Sequence, residues 1–168
     1  MAQATLRTLL LLLLGAGACS SSVEGPALAA SQEAKGFSLR RSRAGAVEWR
    51  LDSPHAVFEE TRARARLESP MIELFKKGKI ETKARAEKGE IDLNTQDTLL
   101  TGAVLVENTA EKISLKTDQL QYIASAKEFR TERPVEIRRP EGVMRGRGMT
   151  ANHDLTEIHV KKQETRVE

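Results

Sequence analysis

At 168 residues the chain has room for one domain, and with 39% apolar residues and six aromatics its core must be thin and aliphatic. Lysine and arginine outnumber aspartate and glutamate by only 27 to 24. An excess that small, with one Trp and one Tyr to stack on bases, argues against a nucleic-acid partner.

The first 19 residues read as an export signal: Arg7, an apolar run from Leu9 to Leu14, then small residues ending at Cys19. The run is far shorter than the roughly 20 residues a membrane-spanning helix needs. Ala16-Gly17-Ala18-Cys19 resembles a bacterial lipobox, in which the cysteine is lipidated and becomes the first residue of the mature protein. The first lipobox position is usually Leu, and here it is Ala16. A second cut, after Ala27-Leu28-Ala29, would instead release a soluble protein. Cys19 is the only cysteine, so it forms no intramolecular disulfide. Lipidated, it would anchor the chain, since each buried acyl methylene contributes about 0.8 kcal/mol. Residues 20–36 are small and polar and read as a flexible tether, which places the domain at 37–168.

From Val47 onward, alternation dominates. Val47, Trp49 and Leu51 share a face, and Ala63, Ala65 and Leu67 alternate with Arg62, Arg64 and Arg66. The stretch from Phe58 to Leu67 has helix-favouring residues, but its alternation predicts strand. The same period of two runs through Ile72 and Leu74, Leu100 to Val106, Leu115 to Tyr122, and Val135 to Ile137. Breaks at Lys88-Gly89, Asn94-Thr95 and Pro140-Glu141-Gly142 predict turns. Gly102, Gly146 and Gly148 fall inside strands, where they would let a long sheet curl. The fold class is all-β.

A strand-pair pattern repeats at about thirty residues. Ile91, Tyr122 and Ala151 are equivalent, 31 and 29 residues apart. Thr98, Phe129 and Ile158 follow each by seven, Leu100, Thr131 and Val160 by nine, and Val104 and Val135 follow the first two by thirteen. Units of that length cannot bury an apolar face alone and must stack.

Four pieces in order carry a resemblance. They are Leu100-Thr101-Gly102-Ala103-Val104-Leu105-Val106, Leu115-Lys116-Thr117-Asp118-Gln119-Leu120-Gln121-Tyr122, Thr131-Glu132-Arg133-Pro134-Val135-Glu136-Ile137, and Gly146-Arg147-Gly148-Met149. Together they resemble the LptC family of periplasmic lipopolysaccharide-transport components, in the wider LptA/LptC/OstA-like group. The resemblance implies an open, twisted, V-shaped β-jellyroll of two antiparallel sheets. It implies that lipopolysaccharide acyl chains lie in its groove, received from an inner-membrane ABC transporter (LptB/LptF/LptG-like) and passed to an LptA-like periplasmic bridge. Well-known members carry a transmembrane helix at the N-terminus, where this chain carries a lipid-anchor motif. The expected location is the periplasmic face of the inner membrane of a Gram-negative bacterium.

One strand parity supplies the apolar lining such a groove needs: Trp49, Leu51, Leu67, Leu74, Leu100, Val104, Val106, Leu115, Tyr122, Phe129, Val135, Ile137, Met149, Ile158 and Val160. Parity alone fits a closed sandwich core equally, so an envelope scaffold that assembles partners by edge-strand pairing stays open as the alternative. The last strand, with Leu155, Ile158, Val160 and Val167, is the expected edge for a partner's sheet. Arg62, Arg64 and Arg66, and Arg145 with Arg147, form basic rows that suit either lipid phosphates or a solvated strand face. His153, Asp154 and His159 lack a recognisable third metal ligand. Neither H-E-x-x-H nor G-x-S-x-G occurs, so no enzyme, cofactor or metal is expected. A glycan-cleaving lipoprotein would need two opposed carboxylates, one with a raised pKa.

Overall fold

A computed structural model describes residues 31–164. Its strands are β1 (Ser31–Arg43), β2 (Ala46–Glu59), β3 (Arg64–Glu68), β4 (Met71–Lys76), β5 (Lys79–Arg85), β6 (Lys88–Asp92), β7 (Thr98–Asn108), β8 (Ile113–Ile123), β9 (Glu128–Arg139), β10 (Gly142–Asn152) and β11 (Ile158–Glu164). All pairings are antiparallel. Strands β3 and β4 both pair with β2, at His55–Glu59 and Trp49–Asp52, so they run on as one strand broken at Ser69-Pro70. Strands β5 and β6 run on likewise past Ala86-Glu87, against the two halves of β7. The eleven segments are therefore nine long strands in an unbroken meander.

Each long strand is interrupted near its middle. The interruptions fall at Gly36, Ser53-Pro54, Ser69-Pro70, Ala86-Glu87, Gly102-Ala103, Asp118, Glu132-Arg133, Gly148 and Lys161, where ladder pairing lapses or shifts. This row is a corner. It folds the meander into arm I (β3, β6 and the adjoining strand halves) and arm II (β4, β5 and the others). Backbone groups released by the bend find partners locally. Ser69 N–H donates to Glu87 O (2.8 Å) and Glu87 N–H to Gly102 O (2.9 Å). The hydroxyls of Ser53 and Thr117 donate to Glu68 O (2.7 Å) and Pro134 O (2.8 Å).

The sequence repeat becomes a literal row of the ladder. Phe58, Ala65, Ile91, Thr98, Tyr122, Phe129, Ala151 and Ile158 stand side by side on successive strands of arm I. Leu39, Leu51, Ile72, Ala84, Val106, Leu115, Ile137 and Met144 do the same across arm II. Apart from Thr98, a buried polar residue, both rows belong to one hydrophobic cluster or pack against it. Burying each Leu, Ile or Phe contributes about 1.5–3 kcal/mol, so the facing rows are what hold the arms together.

Several boundaries differ from the sequence reading. Among the described residues pairing already runs at Ser31, opposite Glu59, so residues 31–36 extend the sheet and are not only a tether. An edge strand held by backbone bonds needs no apolar alternation, which is why the pattern missed it. Lys88-Gly89 is not a turn but the start of β6, and the break lies one step earlier at Ala86-Glu87. Ala63 sits at φ +48° in the turn after a short 3-10 segment (Glu60–Arg62) and leaves its face, while Ala65 and Leu67 keep theirs.

Gly102 has φ +79°, and a β-carbon there would overlap the Glu87 carboxylate. Gly102→Ala is expected to lower stability by about 1–3 kcal/mol in urea denaturation. At Gly146 a β-carbon would overlap Val160 and the Lys162 carbonyl of β11. Gly146→Val is expected to release β11, read as faster amide exchange over Ile158–Glu164 with β7 and β8 unchanged.

Candidate functional site

The corner brings the predicted lining together. Trp49, Leu51, Leu74, Val104, Val106, Leu115, Val135 and Ile137 face inward from arm II, and Leu67, Leu100, Tyr122, Phe129 and Met149 from arm I, all buried. Ile158 and Val160 on β11 are half-buried at the end of the same surface. Sequence reasoning missed Ile72, Ile91, Leu120 and Ala84 as members of this interior, although each shares the parity of its neighbours. Leu155 is fully buried in the turn before β11, so it packs the core and does not present itself to a partner. Cys19 and Val167 lie outside the described residues.

The two apolar rows pack against each other, and the strand tips opposite the corner form a mouth. Polar contacts close it. Lys127 Nζ donates to Glu48 Oε1 at 3.2 Å, joining the β8–β9 turn of arm I to arm II. Asn108 Nδ2 donates to the Asp154 carbonyl at 2.7 Å, and Lys76 Nζ lies 3.5 Å from the Asp154 carboxylate. His153 Nε2 stands 3.9 Å from Glu81 Oε2. The Lys127 hydrogen bond holds the Glu48 carboxyl below its ordinary range, against a smaller cost of burial. Burial pulls the Asp154 carboxyl up, but hydrogen bonds from Thr156 and the charges of His153 and Lys76 outweigh it, and the net direction is down.

Behind the mouth, burial pushes the Tyr122 hydroxyl up to about 12, and its ring meets Phe129 at a centroid distance of 5.2 Å. Trp49 Nε1 and Thr82 Oγ1 are buried without hydrogen-bond partners, two strands apart in the inward row Trp49–Leu74–Thr82–Asn108. An orphaned buried donor costs about 1–3 kcal/mol.

The outer faces are charged and internally paired. Arg64 Nη1 lies 2.6 Å from Glu90, Arg66 3.4 Å from Glu59, and Arg145 2.9 Å from Glu136. Arg62, Arg64, Arg66 and Arg145 are thus paired with neighbouring carboxylates on solvated faces, while Arg147 is exposed with no carboxylate partner among the described residues. Outward residues line a cleft of about 580 Å³ beside the corner, among them Arg85, Lys116, Glu136 and Arg145. Another of about 410 Å³ lies between His55, Val57, Glu90 and Leu99. Among the described residues no group of three His, Asp or Glu side chains is placed to hold a metal ion.

A family profile described as "Lipopolysaccharide-assembly, LptC-related" matches residues 31–168. The chain belongs to the LptC family. Comparison with curated proteins finds no match. Membership in the LptC family assigns this chain a role in lipopolysaccharide transport, in the periplasmic envelope of a Gram-negative bacterium, with lipopolysaccharide and the Lpt transport complex as its partners in general. The family is a transport component, and the two-layered antiparallel sheet is consistent with its β-jellyroll.

Two outcomes follow from the mouth and its interior. Because folded Glu48 titrates below its unfolded range, its contribution is complete above the ordinary carboxylate pKa and is lost as pH falls through the depressed value. Lys127→Met is therefore expected to cost up to about 1 kcal/mol near neutral pH. In urea denaturation that cost should shrink as the pH is lowered toward about 2, and a pH-independent cost would contradict the assignment. Thr82→Val, which removes the orphaned hydroxyl at constant shape, is expected to leave the melting temperature unchanged or raise it, by up to about 1 kcal/mol of stability.

Proposed function

We propose that the interior between the arms is the lipid path, taking lipopolysaccharide acyl chains from the inner-membrane ABC transporter and passing them to an LptA-like bridge. One observation carries this reading: two rows, apolar but for Thr98, face each other across the meander, yet the mouth between them is closed by a few polar contacts. The polar part of the seam is weak, because exposed ion pairs contribute about 1 kcal/mol or less, so the main cost of opening is uncovering the apolar rows, which acyl chains would cover in turn. Opening it would expose the rows to acyl chains without breaking a strand pair.

The free edge of β11 is the natural exit. Its outer hydrogen-bonding side has no neighbour among the described residues, and Ile158 and Val160 would continue the apolar surface into an added strand. The β1 end would face the transporter, and lipidation at Cys19 would hold the domain near the membrane.

A second reading keeps the core permanently closed and makes the chain an envelope scaffold that pairs edges with its partners. The burial of Tyr122, Phe129 and Val104 favours it to the extent that these residues never become accessible. Photo-crosslinking in intact cells separates the two, with a reactive residue at Val104, Tyr122 or Phe129 in turn and at outward Glu107, Gln121 or Arg130 as controls. Lipopolysaccharide adducts confined to the inward set are the expected result. Folded protein with no inward adduct would leave the scaffold.

A further inference from the structure

The two lips of the mouth carry opposite charge. The four turns at the tips of arm II (43–46, 76–79, 108–113 and 138–143) contain seven basic and two acidic residues. Those at the tips of arm I (59–63, 92–97, 124–128 and 152–157) contain seven acidic and two basic residues. Net charge hides this polarity, since the whole chain carries only +3.

Part of the basic lip is unpaired. Lys77, Lys79 and Lys112 are exposed and have no carboxylate partner among the described residues; the same holds for Lys88, Lys116 and Arg147 on the outer faces, and what sets the lip apart is the apolar surface beside its cations. The two exposed large apolar residues of the described chain, Ile80 and Val143, stand on the same lip, 42% and 51% exposed. Unpaired cations beside exposed apolar side chains, at the rim of an apolar interior, match one ligand chemistry. That is the junction of a phosphorylated headgroup with its acyl chains.

We infer that the arm II lip, through Lys77, Lys79 and Lys112, binds the phosphate groups of the lipid headgroup while the chains enter between the arms. This rests on the lipid-path reading above. The acidic lip would repel the same headgroup, so the lipid docks on one side only. Lys76 adds a means of opening. It is shared between Glu81 (2.8 Å) and Asp154 of the opposite lip (3.5 Å), and an arriving phosphate competes with Asp154 for it.

The test is calorimetric titration of the folded protein with lipopolysaccharide and with the same lipid after enzymatic removal of its phosphates. The wild type is expected to bind the phosphorylated lipid at least about tenfold more tightly, with an advantage that falls as salt rises. Lys77→Glu/Lys79→Glu/Lys112→Glu is expected to abolish that preference and leave binding of the dephosphorylated lipid unchanged. Lys116→Glu, on the outer face of β8, controls for net charge and should have little effect. Equal binding of both lipids by the wild type, or an equal loss per charge in Lys116→Glu, overturns the lip assignment while leaving the lipid path standing. Failure of the wild type to bind either lipid overturns both.

Discussion

Interruptions in nine consecutive strands fall in one line, from Gly36 through Pro54, Pro70, Glu87, Gly102, Asp118, Arg133 and Gly148 to Lys161. Each is tolerable only because its neighbour bends at the same level, for a strand that turned early would leave its ladder partners unpaired. The line divides every strand into a half for each arm. It also sets which side chains meet, because parity on both sides of the corner must point inward together. The apolar rows, the mouth and the charge difference between the lips all depend on this alignment.

The balance of forces around the interior is uneven. Along the corner and within each arm, backbone ladders and buried aliphatic side chains make opening costly. Across the mouth the polar contacts among the described residues are a shared lysine, a carboxamide and ion pairs partly open to water, and no described strand ladder crosses it. Such a molecule is expected to yield at the mouth before it yields at the corner. Burial of the lining is then compatible with a transport role, as the two apolar rows cover each other while the mouth is closed.

Much of this was legible from the sequence, and the failures have physical reasons. The equivalence of Ile91, Tyr122 and Ala151 could be read because stacked hairpins of equal length place the same parity at the same height. The lining followed from alternation, and all but Ile158 and Val160 of it is buried. Strand β1 was missed because an edge strand is specified by its neighbour's backbone and not by its own side chains. Lys88-Gly89 misled because glycine there serves a close approach to Pro70 and not a turn. Leu155 was read as part of the edge, since nothing in a one-dimensional pattern tells a residue in a core-filling turn from one at the start of a strand. The lip polarity was invisible for a different reason. It collects residues from four separate turns on each side, and only the corner reveals which turns are neighbours.

The most direct measurement is the distance between the lips. Paired spin labels at Ala110 on the arm II lip and Thr156 on the arm I lip, both exposed, report it in the folded chain, with and without lipopolysaccharide. A short, narrow separation without lipid that lengthens when lipid binds is the expected result. An unchanged separation in protein that demonstrably holds lipid would contradict an interior that opens at the mouth.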